Sequence, residues 1–140
     1  PTVYYGDEAG VCGFTDPDNR RTYPWGKEDQ ELLSFHKEAI CIHKDNPVLT
    51  YGSTCFLSLE HQLLSYGRFD EENQIVNNSR EEREVNIPVW KASVPPFCTM
   101  ERLMLTLENG FSTNDAVYGV RNGILYLKLP PVCSMILKTL

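Results

Sequence analysis

The sequence predicts a mainly β protein, an antiparallel β-sandwich preceded by a long loop and one helix. The chain has 140 residues, enough for one hydrophobic core plus an appendage. After Pro47, short β-rich runs alternate with turn residues at the spacing typical of a sandwich or barrel. Before Pro47, apolar residues recur at helical spacing in one segment. The helix and the β-rich part therefore form separate regions of the chain.

The first residues predict a short strand that leads into a loop. Residues 1–5 are rich in β-forming residues and end at Gly6, after which Asp7 and Glu8 break the pattern. Residues 10–26 contain repeated Gly, Pro, Asp and Asn, which favour turns over regular elements. We expect a long, structured loop there.

One amphipathic helix is predicted from Glu28 to His43. Acidic residues at its start suit the positive end of the helix dipole. The apolar stripe consists of Leu32, Leu33, Phe35, Ala39, Ile40 and Ile42. The pair Asn46-Pro47 ends the helix, because the residue before a proline avoids the helical region.

The remaining residues predict strands joined by turns. The predicted strands are 53–59, 63–69, 84–89, 102–107, 119–120, 124–129 and 132–138. Asn109-Gly110 and Asn122-Gly123 predict tight hairpin turns, in which both central residues need a positive φ. The run around Ile75-Val76 has too few apolar residues for a core strand, which raises the question of whether residues are missing near Val76.

Composition excludes several classes of protein. The apolar share of 41% and the charged share of 23% are those of an ordinary globular protein. A formal net charge of −6 disfavours nucleic acid as a partner, since that binding needs clustered Lys and Arg. No apolar run approaches the length of a membrane-spanning helix, so we expect no membrane partner.

Cysteine spacing predicts reduced, mostly buried thiols in a cytoplasmic protein. The five cysteines are an odd number and are widely spaced, unlike a zinc site or a disulfide framework. The chain begins without Met inside a strand-like run, so a secretion signal upstream of Pro1 stays open as an alternative location.

The first third of the chain resembles the alpha-amylase family of glycoside hydrolases. The resemblance is carried by PTVYYGDE at residues 1–8, DPDNRR at 16–21, YPW at 23–25 and HKDNPVL at 43–49. The branch it is most similar to is that of neopullulanase, maltogenic amylase and cyclomaltodextrinase. Beyond Gly52 the likeness is one of pattern, length and position.

The resemblance implies how the chain is divided into domains and where the catalytic residues of the enzyme lie. Residues 1–46 would be the end of a catalytic (β/α)8 barrel, with its eighth strand, a substrate-side loop and its last helix, and residues 47–140 a C-terminal all-β domain. A retaining glycosidase needs two carboxyl groups about 5 Å apart. In the family these lie upstream of Pro1, so we expect no catalytic residue in this chain, no cofactor, and no glycoside hydrolysis by the chain alone.

Asp16 and Arg20 are the predicted substrate-binding residues. In a (β/α)8 barrel the loops at the carboxyl ends of the strands form the active site. By resemblance, Asp16 and Arg20 match positions that contact glucosyl rings, and a carboxylate and a guanidinium suit sugar hydroxyls. The alternative is a local network of ion pairs and turns among Asp16, Asp18, Arg20 and Arg21, and both roles can hold together. Tyr4, Tyr5 and Trp25 are assigned to packing.

No metal site is predicted. His36 and His43 are seven residues apart on one helix, which separates their backbones by about 10 Å along the axis, too far for one zinc ion. His61 is predicted to be a surface residue.

Two functions of different class follow from these observations. The first is the C-terminal portion of an α-glucan-degrading glycoside hydrolase, which supports the enzyme and supplies one subsite loop. The alternative is a stand-alone β-sandwich that binds carbohydrate through exposed aromatics or protein through a sheet edge. The helix also predicts self-association, because its apolar stripe would lack the barrel strands that cover it, and burying each large side chain is worth about 1.5–3 kcal/mol. Residues 1–45 would then be poorly ordered or buried in a self-association interface.

Overall fold

The computed structural model describes residues 2–60, 63–69, 73–79 and 82–140, with the backbone alone for 73–79. The chain divides into two compact units, Pro1–Lys44 and Asp45–Leu140. The division falls after Lys44, where the sequence places the boundary after Asn46. That residues 1–46 end a barrel remains a prediction.

The first unit consists of turns and one helix. A 3-10 turn spans Asp7–Ala9, a second spans Asp18–Arg20, and helix α1 spans Gln30–Asp45. Gly6 and Gly10 bracket the first turn with φ of 84° and 73°, a region that glycine enters without strain. The Val11 N–H donates to the Gly6 carbonyl at 3.0 Å and closes the turn.

Helix α1 begins at an N-cap that the sequence pattern missed. The Asp29 carboxylate accepts a hydrogen bond from the Leu32 N–H at 3.0 Å, which satisfies one of the free donors of the first helical turn. The helix therefore runs over Gln30–Asp45, where Glu28 to His43 was expected. Ile42 is its only buried residue among those described.

The predicted strand over residues 1–5 is wrong for the residues that the structure describes. Residues 2–4 belong to no strand and Tyr5 lies in a turn. A strand needs a neighbouring backbone to complete its hydrogen bonds. Instead, the Tyr4 N–H donates to the Asp7 carboxylate at 3.1 Å, and the Asp7 N–H donates to the Tyr4 carbonyl at 3.1 Å.

The second unit is an antiparallel sandwich, as predicted. After a short helix, α2 (Val48–Tyr51), the strands within the described residues are β1 (Ser53–Glu60), β2 (Leu63–Phe69), β3 (Asn73–Ser79), β4 (Arg83–Pro88), β5 (Phe97–Leu107), β6 (Gly110–Ser112), β7 (Val117–Arg121), β8 (Ile124–Leu129) and β9 (Cys133–Thr139). Their order in the sheet is β1-β2-β3-β9-β5-β7-β8-β4, and β6 pairs with β5. A 3-10 turn, Val89–Ala92, follows β4.

Strand β5 joins the two halves of the sandwich. It pairs with β9 along one edge and with β7 and β6 along the other, and its register shifts between Arg102 and Met104. Such a bulge bends a strand, which lets one continuous sheet fold over on itself. The inward side chains of both halves form one core, which includes Leu57, Leu63, Ile87, Met100, Leu125, Leu127, Leu129, Met135 and Leu137.

Strand β3 corrects one expectation. The run around Ile75-Val76 was expected to be too short for a core strand, yet β3 lies between β2 and β9 and pairs with both. A central strand is hydrogen-bonded to a neighbour along both edges, through alternate residues, so pairing compensates for few apolar side chains. The ladder is continuous from Asn73 to Ser79 along β2, with no register shift at Val76.

Of the two predicted Asn-Gly turns, one is confirmed and the other is displaced by one residue. Asn122 and Gly123 have φ of 52° and 73° and connect Arg121 directly to Ile124, which confirms the tight hairpin. The other hairpin pairs Leu107 with Gly110, so its turn is Glu108-Asn109 and the glycine already belongs to β6. The sequence therefore placed that turn one residue too late.

Candidate substrate-side loop

The loop over residues 10–26 is held by close backbone contacts. A side chain at Gly13 would place its Cβ 2.6 Å from Asn19 Cα and 2.8 Å from the Asp18 carbonyl oxygen, so only glycine fits. The Tyr5 hydroxyl donates to the Asn19 carbonyl at 3.2 Å. These contacts fix the 3-10 turn Asp18–Arg20 and hence the position of the charged side chains around it.

Asp16 and Arg20 form a bidentate ion pair at the surface. Arg20 Nε and Nη2 each donate to one Asp16 carboxylate oxygen at 3.0 Å. Their side chains are 60% and 67% exposed. The structure thus brings the two predicted substrate-binding residues together, and both groups remain accessible to a ligand.

Asp18 and Arg21 form a second ion pair beside the first. Arg21 Nε and Nη2 donate to one Asp18 oxygen at 3.0 and 2.7 Å, and the other oxygen accepts the Phe14 N–H at 3.1 Å. The Arg21 hydrogen bond, aided by the Phe14 N–H, lowers the pKa of the Asp18 carboxyl. The local network that the sequence allowed is therefore present, while sugar contact by Asp16 and Arg20 stays a prediction.

Four aromatic side chains of this unit are exposed in the chain. Phe14 and Trp25 are 88% and 82% exposed, and Tyr4 and Tyr5 are about half exposed. The Trp25 ring contacts the Tyr23 ring at 4.6 Å between centroids. Tyr4, Tyr5 and Trp25 are therefore not buried in this chain, and their assignment to packing in the longer protein stays a prediction. No single-sequence signal distinguishes a buried aromatic near a strand from an exposed one.

Two carboxyl groups of this unit, those of Asp18 and Glu28, do not have the character of a glycosidase acid. Such an acid needs a raised carboxyl pKa so that it carries a proton at neutral pH. The pKa of Asp18 is lowered, and backbone hydrogen bonds from Glu28 itself and from Gly26 lower the pKa of Glu28. The two carboxyl groups with resolved shifts therefore favour the ionised form, as suits turn-capping side chains.

The remaining reactive side chains form no recognisable centre. Within the described ranges, no group of three or more His, Cys, Asp or Glu side chains is arranged to hold a metal ion. His36 Nδ1 lies 2.9 Å from the Leu32 carbonyl oxygen of its own helix, and His61 lies outside the described residues.

The cysteines depart from expectation in one respect. All five are free, but Cys12 and Cys41 are exposed and only Cys133 is fully buried, so the expectation of mostly buried thiols is wrong. Burial raises the pKa of the Cys98 and Cys133 thiols, which disfavours their reactive thiolate form.

In the described part of the chain, no helix is long and apolar enough to cross a membrane.

Comparison with known proteins finds relatives along the whole chain, although no family model matches. The amylopullulanase of Thermoanaerobacterium thermosulfurigenes is 30% identical over 149 aligned positions, which cover 96% of this chain and 8% of that protein. The cyclomaltodextrinase of Thermoanaerobacter pseudethanolicus is 36% identical over 88 positions, 59% of this chain and 15% of that enzyme. The chain thus spans a small part of the length of these relatives.

Solved structures of related enzymes also resemble this chain along almost its whole length. A debranching enzyme from Nostoc punctiforme superposes with a TM-score of 0.72 and 28% identity over 99% of this chain and 28% of that one. An alpha-amylase from Geobacillus thermoleovorans superposes with a TM-score of 0.80 and 19% identity over 98% of this chain and 29% of that chain. The likeness to the alpha-amylase is one of fold alone, whereas the likeness to the debranching enzyme extends to the sequence.

Proposed function

The chain belongs to the alpha-amylase family, and from that premise we propose that it forms the C-terminal part of a glycoside hydrolase acting on α-glucans. The observation that carries the proposal is an alignment that covers 96% of the chain with a relative named amylopullulanase. The names of that relative and of the cyclomaltodextrinase favour pullulan, maltodextrins or cyclodextrins as substrates.

The two units have different roles in this proposal. Residues 45–140 form a folded β-sandwich with its own core and support the enzyme. The loop over residues 10–26 contributes one substrate subsite, where the exposed Asp16–Arg20 pair offers carboxylate oxygens and guanidinium N–H groups to sugar hydroxyls. Neither role includes a proton transfer or a nucleophile.

Catalysis is assigned to residues outside this chain. A retaining hydrolysis needs one carboxylate as nucleophile and one carboxylic acid as proton donor, placed on opposite sides of the glycosidic bond. In the substrate-side loop, Asp16 and Asp18 are each held by a neighbouring arginine. These carboxylates orient the loop and leave the bond-breaking step to the rest of the enzyme.

A turnover assay tests the proposal. We expect the longer protein that contains this chain to release reducing sugar from pullulan, maltotriose or a cyclodextrin, and residues 1–140 alone to release no more than a heat-killed control. Hydrolysis by residues 1–140 alone, or failure of the longer protein on every α-glucan, would contradict the proposal.

The proposal also includes the self-association of the chain and its location in the cell. The apolar stripe of α1 is only partly covered, with Ile40 exposed, which supports self-association of the 140-residue chain through this helix. A cytoplasmic location is proposed from the spacing of the cysteines, and cell fractionation of the native protein tests it.

A further inference from the structure

The two end strands of the sheet meet along one side of the sandwich. Strands β1 and β4 lie at opposite ends of the strand order, yet they are in contact because the sheet folds over on itself. Within the described residues they form no ladder with each other, so each keeps one edge without a partner strand. We call the line along which β1 and β4 face each other the seam. An unpaired strand edge is a template for pairing with another chain.

The side chain of Lys91 crosses the seam. Lys91 Nζ donates to the Leu57 carbonyl of β1 at 3.2 Å. Lys91 itself belongs to the 3-10 turn that directly follows β4. Val89 and Ala92, at the two ends of this turn, are 0% exposed, so the turn is anchored in the core. The ammonium group therefore reaches β1 from a fixed base.

The Leu57 carbonyl lies in the bulge of β1. The register of β1 on β2 shifts between Phe56 and Ser58, so Leu57 is an extra residue without a partner in β2. A backbone carbonyl of this kind is an acceptor to which an incoming strand can donate. The Lys91 ammonium satisfies it with a charge-assisted hydrogen bond, which is stronger than a neutral one. A strand that approaches β1 must first displace this ammonium group.

A second contact crosses the seam between two charged side chains. Arg83 Nη2, on β4, lies 3.8 Å from Glu60 Oε2, on β1. The two side chains are 33% and 58% exposed, and exposed ion pairs of this length contribute little to stability. Lys91 therefore provides the main polar contact that closes the seam.

Strand β1 itself has little protection against pairing. Its sequence, STCFLSLE, contains no lysine or proline and has one charged residue, at its end. Strand β4, in contrast, carries Arg83 and Glu84 and ends at Pro88, and such residues protect an edge. In β1, Phe56 and Leu59 are 65% and 77% exposed. The protection of β1 therefore depends on groups outside the strand.

A second copy of β1 suits this edge. The partners of Phe56 and Leu59 in β2 are Tyr66 and Leu64, which are two residues apart, so Phe56 and Leu59 lie on the same face. Two antiparallel β1 strands can therefore place Phe56 opposite Leu59 of the second copy, a favourable aromatic–aliphatic pair. In this register Glu60 lies far from the Glu60 of the second copy, so no like charges meet.

From these contacts we propose that Lys91 is an edge-protecting residue of this chain. Its hydrogen bond to the Leu57 carbonyl closes the seam and prevents two copies of the chain from pairing through β1. This role is separate from the proposed glycoside hydrolase function and from association through helix α1.

Sedimentation velocity of the 140-residue chain tests the proposal. Every sample carries Leu33→Glu and Ile40→Glu, so that association through α1 does not contribute. In this background Lys91→Met, which keeps the aliphatic stem and removes the ammonium, should raise the association constant about tenfold, because the bulge carbonyl becomes free. The substitution also makes the net charge of −6 more negative, which by itself opposes association.

Three further variants serve as controls. Lys128→Met makes the same change of charge on β8, where Lys128 is 64% exposed and pairs with Glu82 at 3.1 Å, and it should leave the chain monomeric. Lys91→Arg keeps a cationic donor and should also stay monomeric. Leu59→Lys, added to Lys91→Met, places a charge on β1 and should restore the monomer.

The proposal is overturned if Lys91→Met is monomeric at all concentrations, if Lys128→Met associates as strongly, or if Leu59→Lys does not reverse the association. Circular dichroism checks that each variant is folded. If Lys91→Met unfolds, Lys91→Gln, whose uncharged side chain is shorter, takes its place in the same comparison. The assay of α-glucan hydrolysis is independent of these results, so the two proposals fail separately.

Discussion

At the residue scale, the Asp16–Arg20 pair offers a test of the substrate-side loop. In the longer enzyme, Asp16→Ala or Arg20→Ala should raise the KM for a long maltooligosaccharide about tenfold, a loss of about 1.4 kcal/mol. Cleavage of a short activated glucoside should change little, since an outer subsite contacts only longer substrates. Initial rates on both substrates measure the difference.

The neighbouring ion pair provides the control for that experiment. Arg21→Ala removes the Asp18–Arg21 ion pair and leaves the hydrogen bond from the Phe14 N–H to Asp18 in place. If Arg21→Ala reproduces the loss on the long substrate, or if Asp16→Ala impairs both substrates equally, the pair supports only the shape of the loop.

Val132 carries the clearest backbone strain in the second unit. It precedes β9 with a φ of 46°, a region that a β-branched residue enters at a cost of about 1–3 kcal/mol. Asparagine tolerates this conformation better, so Val132→Asn should raise the free energy of unfolding by about 1 kcal/mol in urea titration. The control Val117→Asn, at an exposed position within β7, should lower it, because asparagine disfavours strands. Equal effects at both sites would show that the backbone at Val132 is not strained.

At the element scale, helix α1 shows what periodicity can and cannot predict. The apolar stripe located the helix, but Asp29 set its start through a single hydrogen bond to the Leu32 N–H. Strand β3 was missed because its stability comes from neighbours on both edges, which the residues of the strand itself do not reveal. Pairing and capping are contacts between residues, so a pattern along one segment does not contain them.

The exposed stripe of α1 leads to a prediction about association. Leu32, Leu33 and Phe35 are only partly covered in the 140-residue chain, and burying three large side chains contributes several kcal/mol, about 1.5–3 kcal/mol each. We expect the apparent mass in light scattering to rise with concentration. Replacing Leu33 and Ile40 with Glu, at half-covered and exposed positions, should abolish the rise, whereas Ser34→Glu, at an exposed polar position, should not. A chain that is monomeric at all concentrations would contradict the prediction.

At the scale of the whole molecule, the alternating runs predicted the fold class. Strands β2, β8 and β9 lie close to their expected positions because their inward residues alternate regularly. The bulge in β5 and the joining of two sheets into one could not be predicted, since both depend on which strands become neighbours. For the candidate site, the sequence identified Asp16 and Arg20 by resemblance, while the bidentate geometry and exposure of their ion pair became known only from the structure.

The position of β9 has a consequence for biosynthesis. The strand made last among those described, Cys133–Thr139, lies in the middle of the sheet between β3 and β5, and its Leu137 is fully buried. Until the ribosome releases these residues, β1–β3 and β4–β8 are two half-sheets with exposed edges, which need protection from aggregation. A message truncated before the codon for Cys133 would therefore yield an open sheet that is a substrate for cellular proteases, whereas loss of an edge strand would only shorten the fold.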